Sequence, residues 1–159
     1  MITPELLRHY KFFDFLTTAQ LKAVARLSKE ESFETGTVIF HENERADGLY
    51  ILVKGSIDLY FTVVVKHRPE FHKELLFGVI NPGEIFGISA LIEPHILTSS
   101  ARASKPSQAI KIDAAGLLAL CNKDEKLAYG LISQIAKVSM ERLNATRLQL
   151  ATAWSTMWV

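Results

Sequence analysis

Ala46-Asp47-Gly48-Leu49-Tyr50-Ile51-Leu52-Val53-Lys54-Gly55-Ser56-Ile57-Asp58-Leu59-Tyr60 is the stretch that decides the fold. Leu49 to Val53 is a short apolar run that ends at a glycine. In the run after it, Ile57, Leu59 and Phe61 alternate with Asp58 and Tyr60. That alternation is the period of a half-buried strand, because successive side chains of a strand point to opposite faces. The same texture extends outward on both sides. Val38 to Phe40, Leu75 to Ile80 and Gln108 to Ile112 read as further strands. Gly36, Gly48, Gly55, Gly78, Gly83 and Gly87 punctuate them, at breaks where turns are expected. Lys66 to Glu74, with Pro69 inside it, reads as a charged hairpin tip. Many short strands separated by turns imply a sandwich or jelly roll.

The flanks are helical. Thr3-Pro4-Glu5 has the form of a helix start, with an N-cap, a proline at the first position and then an acid. Thr17 and Gln20 are spaced as a capping box ahead of an apolar face of Leu21, Val24 and Ala25. Asp113 is the expected cap of a helix from Ala114 to Leu120, and Asn122 with Glu125 the expected capping pair of the next. Lys126 to Trp154 contains no proline and a single glycine, Gly130. Ile132, Ala136, Met140, Leu143, Leu150 and Trp154 fall near one stripe of that helix, interrupted by Arg147. An apolar stripe on a long helix implies a homodimer.

The totals restrict function. The 159 residues are 48% hydrophobic and 22% charged, with a net charge of +1. This is a globular balance without the basic excess of a phosphate-binding DNA reader. Cys121 is the single cysteine, and His9, His41, His67, His72 and His95 have no zinc-ligand spacing, so no metal site is expected. Met1 to Tyr10 carries no signal-peptide pattern and no apolar run spans a bilayer, so the expectation is a cytoplasmic protein with no membrane partner. No nucleophile–base set, acid pair or P-loop is present, so no enzyme is expected.

Five motifs in order resemble one family. Phe12 to Leu21 is similar to the "F-x-x-L-[ST]-x-x-x-L" entry of cyclic-nucleotide-binding domains. Gly36-Thr37-Val38-Ile39-Phe40 and Ala46 to Tyr60 resemble its first strands. Pro82-Gly83-Glu84-Ile85-Phe86-Gly87 resembles the approach to its phosphate-binding cassette, and the last helix resembles the dimer helix of the catabolite-activator and fumarate-nitrate-regulator (Crp/Fnr) superfamily. The resemblance implies an α+β fold: N-terminal helices, a double-stranded β-helix (a jelly-roll-like β-roll), an internal cassette helix and a long C-terminal dimerisation helix. It divides the chain into a β-roll domain with flanking helices at 1–122 and a dimerisation helix and tail at 123–159. It also implies signal transduction, with a small ligand between roll and helix.

The cassette departs from the pattern. The family places there a glutamate for the ribose hydroxyl and an arginine for the cyclic phosphate. The matching positions here hold Ile88 and Leu97. Thr98 matches a hydroxyl position, and Thr146 the helix position that touches the base, with Arg147 next to it. Backbone N–H groups after Gly87 would still face an anion. The candidate ligand set is therefore Gly83, Glu84, Gly87, Ile88, Ser89, Ala90, Leu97, Thr98, Ser99, Thr146 and Arg147. Beside that stands a plainer reading: Gly83 and Gly87 as turns, Glu84 as a solvated acid, and Arg102 pointing away from the roll between Ala101 and Ala103.

Three functions stay open: a diverged sensor that binds cyclic AMP and cyclic GMP weakly or not at all, a working receptor that uses Thr98 with Arg102 or Arg147, and a structural dimerisation module with no ligand. The residues name no cofactor. A cyclic nucleotide is disfavoured. Haem, which His95 in the cassette loop brings to mind, ranks lower again. The superfamily's DNA-reading motif follows the long helix, and Ser155 to Val159 are too few to form one, so no DNA binding by this chain is expected.

Overall fold

A computed structural model describes residues 1–158. Helix α1 (Pro4–Arg8), a 3₁₀ turn (Lys11–Phe13) and helix α2 (Thr18–Arg26) lead into the strands β1 (Ser28–Phe33), β2 (Val38–Phe40), β3 (Gly48–Lys54), β4 (Ile57–Val65), β5 (Arg68–Ile80) and β6 (Ile85–Phe86). A second 3₁₀ turn (Ile88–Leu91), β7 (Ser100–Ala103), β8 (Ser107–Asp113), α3 (Ala114–Lys123) and α4 (Glu125–Met157) complete the order. The described strands form two four-stranded antiparallel sheets, β1-β8-β3-β6 and β2-β7-β4-β5. Phe13, Phe86, Leu49, Ile51, Leu52, Ile57, Ile110 and Ile112 are among the fully buried side chains of the core. The expected α+β roll with its long last helix is the fold.

The caps form as their spacing requires. The Thr3 hydroxyl accepts from the Leu6 amide at 3.2 Å. Thr17 and Gln20 make both halves of a capping box, at 3.2 and 3.0 Å. Asp113 accepts from the Gly116 amide at 2.7 Å. The last helix differs from expectation: α3 runs on through Asn122, and Asp124 caps α4 by accepting from the Leu127 amide at 3.0 Å. Its other carboxylate oxygen accepts from the Gln20 side chain at 2.9 Å, which ties α4 to α2. That bond, first, holds the Asp124 carboxyl below its ordinary pKa.

One strand reading is corrected and one strand is added. The charged hairpin tip expected at Lys66 to Glu74 is shorter: β5 begins at Arg68, with Lys73 opposite Val63 and His72 opposite Val64. Both faces of this arm are exposed, so its pairing leaves no apolar alternation in the sequence. β1 is a strand that apolar pattern does not mark. It pairs with β8 alone, at the edge of its sheet, and its Ser-Lys-Glu-Glu-Ser-Phe composition suits an edge.

Gly130 seats α4. A Cβ there would stand 2.1 Å from the Phe15 ring, so the helix backbone lies directly on that aromatic. Below this contact Leu127, Leu131 and Ile135 bury against the body of the protein. Beyond Val138 one side of the helix still faces the roll, where Arg142 is half-buried, while Met140, Leu143, Leu150 and Trp154 are all exposed.

Candidate ligand site

The cassette turns sharply at Gly87, which has φ 73° and caps the 3₁₀ turn without a side-chain bond. A Cβ at Gly87 would lie 3.0 Å from the Gly48 carbonyl oxygen and 3.1 Å from the Tyr50 ring, so conformation and space both demand glycine. The expected cassette helix is this single turn. Around it the roll is filled with aromatic rings: Tyr50 stacks on Phe86 at 4.9 Å, and Phe40 tilts against both. Burial, with Asp47 adding to it, pushes the Tyr50 phenol well above its ordinary pKa.

Leu97 packs into the hydrophobic core, 5% exposed. Its backbone is fixed as well: its amide donates to the Glu44 carbonyl and its carbonyl accepts from the Asn43 amide, both at 2.8 Å. Ile88 packs half-buried against the same core, and Ala90 is fully buried. Thr98 is exposed and Ser99 half-buried. The inward hydroxyl of this strand is Ser100, which accepts from the Glu42 amide at 3.0 Å. The His95 ring nitrogen Nδ1 lies 3.1 Å from the Ala90 carbonyl, a bond that pins the cassette loop to itself.

The open space lies beside the cassette, between roll and helix, where the resemblance implies a ligand. A cavity of about 560 Å³ runs between α4 and the β4–β5–β6 wall. Its apolar lining includes Phe12, Leu59, Phe77, Val79, Ile80 and Val138. Of the expected ligand residues, Gly83, Glu84 and Thr146 line it, whereas Gly87, Ile88, Ser89, Ala90, Leu97, Thr98, Ser99 and Arg147 do not. The Thr146 hydroxyl donates to its own helix, to the Arg142 carbonyl at 2.9 Å. Arg147 is exposed. Arg102 is engaged on the far side of the sheet: it donates to Glu74 at 2.8 Å and lies over the Tyr60 ring at 4.5 Å.

Sequence reasoning did not single out the cation inside this cavity. Arg142 is half-buried and donates to the Ile85 carbonyl. Among the described residues, no carboxylate lies within 4.0 Å of it. Burial lowers its pKa, while Glu84 and Glu141 nearby oppose the shift. Arg142 stands one helical turn before Thr146, and that i,i+4 spacing was the available signal.

The family pattern described as cyclic nucleotide-binding domain matches residues 30–124. The chain belongs to this family. It is 24% identical over 148 residues to the CRP-like cAMP-activated global transcriptional regulator of Mycobacterium tuberculosis, covering 92% of this chain and 61% of that protein. It thus spans about three fifths of that relative's length. A crystal structure of a protein from Geobacter metallireducens, named for cyclic nucleotide binding, is 40% identical with a TM-score of 0.78, over 90% of this chain and 99% of that one. The sensor domain of the transcriptional regulator DNR from Pseudomonas aeruginosa shares the fold at 22% identity and a TM-score of 0.69, over 88% and 90% of the two chains. This chain is therefore a cyclic nucleotide-binding domain. No helix among its described residues is long and apolar enough to cross a membrane.

Proposed function

We propose that this cyclic nucleotide-binding domain is a homodimeric regulatory sensor, not an enzyme, whose nucleotide site has diverged so that cyclic AMP and cyclic GMP bind weakly or not at all. The observation that carries this reading is Leu97. The resemblance places a phosphate-binding arginine at that position, and here an aliphatic side chain is built into the core. A cyclic phosphate must leave water to enter the roll, at a cost of several kcal/mol unless donors replace the water. The missing charge-assisted contact and a ribose hydroxyl unpaired at Ile88 together cost on the order of 3–6 kcal/mol, or about two to four powers of ten in affinity. Arg102 does not compensate, because Glu74 and Tyr60 already hold it.

Sensing is assigned to residues 1–122 and dimerisation to 123–159. The exposed stripe Ile132, Met140, Leu143, Leu150 and Trp154 supports dimerisation, since leaving it in water forgoes ~25 cal/mol per Å². A cavity against the same helix favours a ligand over an empty structural module. The net charge of +1 supports a role without direct DNA contact, and we place that role in the cytoplasm. Isothermal titration with the two nucleotides tests the reading.

A further inference from the structure

We propose that the β4–β5 arm is a clasp for a second copy of this chain, with its apolar inner face closing on the partner's α4 from Leu148 onward. The inference rests on the homodimer reading above and adds a contact that the helix stripe does not contain.

The arm is where the sheet thins to two strands. β4 pairs with β7 only from Ile57 to Tyr60. From Phe61 on, its one strand partner among the described residues is β5. A two-stranded ribbon is marginal in water unless something covers a face. Alternation sets the two faces. Arg102 stands opposite Asp58 and over the Tyr60 ring, so Asp58, Tyr60, Thr62 and Val64 form the outer face. Phe61 and Val63 continue the inner face of Leu59, which lines the cavity beside α4. The Phe61 ring lies 5.5 Å from that of Phe77, another residue of the cavity wall. Phe61, Val63 and Phe77 are 36%, 40% and 42% exposed. A contiguous apolar face of this kind marks an interaction site.

The far end of α4 has the matching chemistry. Leu148 to Met157 contains no charged residue, so an apolar arm covers it without stripping water from a charge. Leu148 is 70% exposed. It stands two positions before Leu150, about 200° round a helix of roughly 3.6 residues per turn, and so lies off the stripe. Pairing two helices along the stripe leaves Leu148 open, and a second element is needed to cover it. The occupant of the arm is a second copy because the arm's inner face is continuous with the wall beside α4, the helix along which the dimer forms. A twofold axis then makes the contact twice, each arm on the other chain's helix.

Sedimentation velocity on a dilution series of the full chain tests the clasp. Val63→Glu puts a carboxylate on the inner face opposite Lys73, where a solvated arm tolerates it. Val64→Glu does the same on the outer face, opposite His72. Val63→Glu and Leu148→Glu are each expected to weaken the dimer about tenfold or more, because each buries a carboxylate against the partner. Val64→Glu should leave the dimer constant within about twofold. Wild-type dimerisation of Val63→Glu or of Leu148→Glu, or equal weakening by Val63→Glu and Val64→Glu, would overturn the clasp and leave the helix pair standing. A monomeric wild-type chain would overturn the homodimer reading and the clasp with it. If circular dichroism shows Val63→Glu unfolded, hydrogen exchange on the wild-type chain decides. Arm amides are then expected to exchange roughly tenfold more slowly in the dimer than in Leu143→Lys diluted to monomer, and equal rates overturn the proposal.

Discussion

Arg142 and Met140 stand two positions apart on α4 and face opposite ways. Arg142 lines the cavity against the roll, and Met140 is 64% exposed. Two helical positions are about 200° apart at roughly 3.6 residues per turn. The same pairing recurs along the helix: Gln134 and Ile132, Val138 and Ala136, Ala145 and Leu143. One face of α4 closes the cavity while the other carries the exposed apolar stripe. A ligand that moves the first face must move the second. It shifts the helix pair only if it binds one arrangement better than another.

The stripe should hold two chains together. Light scattering at micromolar concentration is expected to give a dimer mass. Leu143→Lys, which puts a charge on the stripe, should weaken the dimer by about tenfold or more, since the charge must be desolvated in the interface. A monomer mass for the wild-type chain would remove the dimer from this account.

Gly130→Ala should loosen the seat of α4. The added Cβ would overlap the Phe15 ring. Overpacking costs about 1–3 kcal/mol, against a helix-propensity gain of about 1 kcal/mol. The net expectation is a modest loss of stability in urea unfolding, relieved when Phe15→Leu is added. A gain in stability from Gly130→Ala alone would mean that the ring moves aside freely.

Leu97→Arg alone should destabilise the roll by about 3 kcal/mol, because it buries a charge with no counter-ion among aliphatic neighbours. Combined with Ile88→Glu, it should restore some affinity for cyclic AMP. A double variant that folds and still ignores the nucleotide would show that these positions are not the cassette's lost pair.

Much of the fold was legible because its signals are local. Thr3, Thr17 and Asp113 cap helices as their spacing dictates, and the alternation at Ile57 to Leu59 marks β4, though a bulge after Leu59 then buries Tyr60 and exposes Phe61, against the expected period. β1 and the outer half of β5 were not legible, because one lies at a sheet edge and the other is wet on both faces. The site was harder still. Leu97 and Ile88 stand where the resemblance puts an arginine and a glutamate, but position along the chain does not say where free volume lies. Arg142 reads in sequence as one more charge on an amphipathic helix, marked only by its i,i+4 spacing to Thr146. Only packing shows it half-buried at Ile85.

Duplex DNA should not be bound tightly by this chain. Its net charge of +1 offers little release of counterions from a phosphate backbone. A gel shift should show no complex at micromolar protein in about 150 mM salt, near the physiological value. A tight complex that weakens steeply with salt would contradict this.

If the nucleotide site has lost its partners, isothermal titration of the wild-type chain with cyclic AMP and cyclic GMP gives no measurable heat, or a dissociation constant of roughly 1 mM or weaker, the value that two to four lost powers of ten imply for a micromolar site. A dissociation constant near or below micromolar for either nucleotide would contradict it.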